Sequence, residues 1–96
     1  MSNIDDEFFK RADAHIHLSN GQISKEITRG KVSASMMYAT ARFNAWISAC
    51  DWENGKEMAK DKDGAIEYFI SEYRKMLEEN LDDYIKNFET YMKPKN

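Results

Sequence analysis

The residues best equipped for chemistry stand near the start of the chain, in Asp13-Ala14-His15-Ile16-His17-Leu18. On an extended strand alternate side chains share a face, so His15 and His17 would point at one metal ion with Asp13 beside them. On a helix, residues two apart diverge by about 200°, and only Asp13 and His17 share a face. Two ligands make a weak site, so on a helix this pair reads as a carboxylate–imidazole contact rather than a metal centre. Glu78, Glu79, Asp82 and Asp83 have the spacing with which helical carboxylates hold a hard cation or divide acid and base roles. They fall largely opposite an apolar stripe, and a solvated helix face is the expected reading. Asp61 and Asp63 lack the spacing of a calcium loop. Cys50, the single cysteine, can form neither an internal disulfide nor a cysteine cage for zinc, and reads as a small buried residue in a reducing cytoplasm. It lies far in sequence from both histidines, so no nucleophile–base pair is legible. No catalytic residue, metal ligand or cofactor site is expected.

Cations form a second group. Lys25, Arg29 and Lys31 make one connection locally basic, and Arg42 follows eleven residues after Lys31. Together with Asn44, the residues Arg29, Lys31 and Arg42 suit contact with a small anion at the N-terminal end of a helix. Arg29-Gly30-Lys31 has a single glycine and is no nucleotide-binding loop. Arg42 and Asn44 sit inside a helical pattern, where burial demands hydrogen bonds, so Arg42 is expected to meet a carboxylate on a neighbouring helix. A polar pocket beside Tyr38 is the alternative.

The elements that must position these groups are helices. From Ala65 onward the apolar positions are Ile66, Ile70, Tyr73, Leu77, Leu81, Tyr84, Phe88 and Met92, with Ile66, Leu77 and Phe88 each eleven apart. Eleven residues in three turns is close to the natural helix period, so the stripe stays on one side of a nearly straight rod. Phe69, Met76 and Ile85 widen it, Pro94 lies beyond its end, and Lys75–Glu79, Asp82–Lys86 and Glu89–Lys93 support the exposed face. A long helix is expected over 62–92.

The middle segment, 32–52, carries two stripes. Met36, Ala39, Phe43, Trp46, Ile47 and Cys50 form one; Ala34, Tyr38, Ala41, Ala45 and Ala49 form the other. Apolar surface on two sides marks a helix packed between neighbours, the alanines permit close approach, and Ser33 suits the N-cap. A third helix is expected over 5–19, with Phe8 or Phe9, Ala12, Ile16 and Ser19 inward and a stop at Ser19-Asn20-Gly21. Ile23 and Ile27 would anchor the long connection that follows. Asp13-x-His-x-His-Leu resembles the metal-binding signature of amidohydrolases, but that barrel needs about 250 residues and places the motif on a strand.

The expected fold is thus all-α: one domain over 1–96, with three main helices in a small bundle and a long C-terminal helix. Forty-two per cent apolar residues, including two Trp, five Tyr and five Phe, can supply a core and argue against disorder. The net charge of −3 gives no sign of the basic field that non-specific nucleic-acid binding needs. The acidic start lacks the features of a secretion signal, and no apolar run approaches the roughly 20 residues that span a bilayer. A cytoplasmic location without membrane attachment is expected. The last helix overhangs the central one, and its apolar band continues across the overhang. Either the first helix and its linker or a second copy of the chain must cover it.

Arg29-Gly30-Lys31-Val32-Ser33-Ala34-Ser35, Tyr38-Ala39 and Ala41-Arg42-Phe43-Asn44-Ala45 resemble a small bacterial family known as domain of unknown function 3144. Asn80-Leu81-Asp82-Asp83-Tyr84-Ile85-Lys86-Asn87-Phe88 is similar to its C-terminal signature, and Arg11-Ala12-Asp13 to its start. The resemblance implies a mainly helical cytosolic protein and brings no activity, substrate or catalytic residue. The function expected is a non-enzymatic helical protein-interaction module, taking an unknown protein or a second copy as partner in a homodimer. Tyr84, Phe88 and Tyr91 would anchor that interface. The alternative is a binder of a small anion near Arg29, Lys31 and Arg42.

Overall fold

The computed structural model describes residues 4–93, of which 80% are helical, with no strand among them. The elements are α1 (Phe8–Gln22), α2 (Arg29–Ala49), α3 (Gly55–Lys60), α4 (Lys62–Lys86) and α5 (Phe88–Met92). The protein is all-α. Met1, Ser2, Asn3 and the proposed stop at Pro94 lie outside the described residues. The chain divides into two units between Trp46 and Ile47, near the end of α2.

In the first unit, α1 begins at Phe8 because Asp5 organises the turn before it. The Asp5 carboxylate accepts from the Glu7 N–H at 2.9 Å and from the Arg11 guanidinium at 3.2 Å, while the Asp5 carbonyl accepts from the Phe8 N–H at 3.0 Å. Phe8, Ala12 and Ser19 are half-buried on its inner side, whereas Phe9 and Ile16 are exposed. The helix does not stop at Ser19-Asn20-Gly21. Gly21 takes no positive φ, and the chain leaves the helix at Ile23, whose extended backbone donates back to the Asn20 carbonyl.

The connection is shorter than its composition suggests, because Ser24 closes a turn on Ile27 and Thr28 then starts α2. Ile27 N–H donates to Ser24 Oγ at 3.1 Å, and Lys31 N–H donates to Thr28 Oγ1 at 3.3 Å. Thr28 therefore takes the capping role expected of Ser33, which lies inside the helix. Ile23 and Ile27 remain exposed rather than anchored. Ser19 Oγ reaches Met36 Sδ at 3.3 Å and ties α1 to the Met36 side of α2.

The second unit adds α3, whose signal is Asn54-Gly55-Lys56-Glu57. The Asn54 side chain accepts from the Glu57 N–H at 2.9 Å, and Glu57 in turn pairs with Lys60 at 3.4 Å. This helix lies against the start of α4, where Met58, Ala65 and Phe69 are the half-buried side chains. The expected continuous helix over 62–92 is broken at Asn87, whose backbone sits at φ −108°, ψ 25°. Its side-chain amide donates to both the carbonyl and the carboxylate of Asp83, at 3.2 and 2.9 Å. Asn80 makes a comparable bond to the Met76 carbonyl at 2.7 Å without breaking the helix. At Asn87 the further pull comes from Tyr91, whose hydroxyl also reaches Asp83. Lys75 pairs with Glu72 at 3.1 Å in place of Glu79, while Lys93 does pair with Glu89, at 3.8 Å.

Candidate functional site

The motifs that suggested chemistry fall on helices and stay apart. Asp13, His15 and His17 occupy α1, all three exposed, and Asp13 makes no hydrogen bond or ion pair with His17. The described residues contain no group of three or more metal-ligating side chains. Cys50 is exposed rather than buried, because it lies one residue beyond the end of α2. Glu78, Glu79 and Asp82 line α4 as solvated carboxylates, and Asp83 alone is engaged.

The cations share one helix but no single point. Arg29 and Lys31 lie in the first turn of α2 and Arg42 three turns on. Eleven residues along a helix return to nearly the same direction, so Lys31 and Arg42 lie on one side about 16 Å apart, with Arg29 on the opposite side. No one small anion spans that distance. Arg42 makes no ion pair among the described residues; it is exposed, so water solvates it, while Asn44 is half-buried.

At the C-terminal end two of the three proposed anchor residues, Tyr84 and Tyr91, meet, while Phe88 is met by Lys93. The rings of Tyr84 and Tyr91 meet edge to face, with centroids 5.0 Å apart. The Tyr91 hydroxyl donates to the Asp83 carboxylate, at 3.3 and 3.2 Å from its two oxygens, and Lys93 Nζ lies 5.8 Å from the Phe88 ring centre. The Asp83 carboxylate, as acceptor and as charge, pushes the Tyr91 phenol above its ordinary pKa of 10.0. At the other end of the chain, the Arg11 guanidinium and the Glu7 N–H hold the Asp5 carboxyl below its ordinary value of 3.8.

The larger feature is apolar surface. Val32 is the one buried side chain among the described residues. The α4 stripe is open along its length: Ile66, Leu77 and Leu81 are 44%, 42% and 53% exposed. On α2, Tyr38 is 71% exposed, and Phe43 and Trp46, whose rings lie 5.5 Å apart, are each 59% exposed. Sequence periodicity identifies these stripes but cannot say whether they are covered, since a core face and an interface carry the same pattern. No helix of the described residues is long and apolar enough to cross a membrane.

No curated protein matches the chain. Among solved structures it is similar to the NMR structure of the protein NB7890A from Shewanella sp., at 38% identity, covering 99% of this chain and 100% of that one, with a TM-score of 0.78. That agreement supports the all-α fold. A family model described as "Protein of unknown function (DUF3144)" matches residues 8–85, which include the Ala-Arg-Phe-Asn-Ala segment of α2 and most of α4. This chain is therefore a member of that family.

Proposed function

We propose that the chain is a non-enzymatic helical protein-interaction module working in the cytoplasm, with its own kind as first partner. One observation carries the reading: among the described residues only Val32 is buried, while the stripes of α2 and α4 stand open. Apolar area of this extent is stable in water only when another surface covers it. Cys50, exposed and single, suits a reducing compartment. The anion-binding reading has less support, because Lys31 and Arg42 are too far apart to hold one small ligand.

Leu77→Glu tests the proposal, since Leu77 lies at the middle of the α4 stripe. The expected result is loss of association in chemical cross-linking of the purified protein, or with its captured partner, with α4 still helical by NMR. If the wild-type chain binds nothing and Leu77→Glu simply unfolds it, the stripe is interior and the reading fails.

A further inference from the structure

We infer that the occupant of the open α4 stripe is α2 of a second copy of this chain, packed antiparallel, with Arg42 and Lys31 of one copy paired to Glu67 and Glu78 of the other. The inference rests on the interaction-module reading and names its partner. Three observations point to it.

The first is area. Along α4, Ile66, Ile70, Tyr73, Leu77, Leu81 and Tyr84 are each 42–56% exposed, a continuous apolar face of the kind that marks an interaction surface.

The second is charge. Helix α2 carries Arg29, Lys31 and Arg42 and no acid, whereas α4 carries seven acids and four bases. Lys31 and Arg42 are eleven residues apart, and so are Glu67 and Glu78. Each pair thus lies along one side of its helix with the same separation of about 16 Å. None of the four makes an ion pair among the described residues. On the same edge of α4, Asp63 stands one turn before Glu67 and Arg74 one turn before Glu78, so the acidic field is stronger at Glu67.

The third is handedness. Lys31 and Arg42 border the face made by Ala34, Tyr38, Ala41, Ala45 and Ala49, on the side reached by turning in the chain direction. Glu67 and Glu78 border the α4 stripe on the corresponding side. Two facing helices bring corresponding edges together only when antiparallel, which sets Arg42 against Glu67 and Lys31 against Glu78. The alanines allow close approach, and on the other side of α2 Met36 already meets Ser19 of α1. A two-fold dimer makes this contact twice.

Sedimentation equilibrium of the full chain, with charge reversals, tests the inference. The wild type is expected to be a dimer. Arg42→Glu and Glu67→Arg should each weaken it roughly 100-fold, tenfold from each of the two contacts. Mixing the two variants should restore a dimer, because a mixed pair matches charge at both contacts. The double variant R42E/E67R should do the same alone. Dimers of wild-type strength in either single variant, or mixing that restores nothing, would overturn it. A monomeric wild type would also do so, and amide exchange then separates the two proposals. Slow exchange along α2 and α4 means the faces close within one chain, ending the module reading as well; rapid exchange means they are open to a different protein, leaving that reading intact.

Discussion

Tyr91 is held by charge and hydrogen bonding, and both act through one neighbour. The Asp83 carboxylate accepts from its hydroxyl and also from the Asn87 amide, so a single acid ties α5 back onto α4. Because the phenol's pKa is raised in the folded state, this tie is fully present below the unfolded value of about 10 and is lost as pH rises through the folded value. Asp83→Asn is expected to bring Tyr91 back toward the ordinary tyrosine range and to loosen α5, read from tyrosine ring shifts in an NMR titration. A titration unchanged by the substitution would show that the bond does not hold in solution. Asp5 behaves in the opposite sense. Its lowered pKa means that its help to the start of α1 is present above about 3.8 and is lost as pH falls through the folded value. Little of this was legible in the sequence. Asp83 and Tyr91 are eight residues apart, and only the break at Asn87 shows that they meet.

Among the elements, legibility follows how local the cause is. The Ile66–Leu77–Phe88 repeat announces α4 because periodicity is a property of the chain alone. The capping pattern from Asn54 to Glu57 is equally local, yet it lies in the charged stretch between the helices expected over 32–52 and 62–92. Thr28 likewise caps α2, which begins three residues before the expected start. Asn54→Ala should cost about 1 kcal/mol of local stability in α3, measured as faster amide exchange at Glu57 and Met58 with α4 unaffected. Equal exchange in variant and wild type would assign the start of α3 to its packing on α4 instead. Lys31 and Arg42 could be seen eleven residues apart, but the matching interval from Glu67 to Glu78 acquires meaning only once both helices are known to be continuous across it.

At the scale of the whole molecule, the all-α class and the family were readable from the sequence, and the coverage of its apolar faces was not. The reason is physical: burial depends on what lies opposite, and an amphipathic helix is indifferent to whether its cover is its own chain or another. If the cover is a second copy, stability depends on concentration by mass action. A tenfold rise in protein is then worth about 1.4 kcal/mol and should raise the melting temperature by roughly 5 °C, measured by calorimetry over a dilution series. A melting temperature independent of dilution would place the cover within one chain.

Val32, the solitary buried side chain among the described residues, has a consequence for the protein's life in a cell. A chain that shields so little by itself presents cleavable backbone to proteases whenever it is alone, and cleavage follows the population that is open. If the cover is a second copy, newly made copies at low abundance are removed quickly, while paired copies persist. Turnover is then a function of abundance, and the steady-state level responds more than proportionally to synthesis.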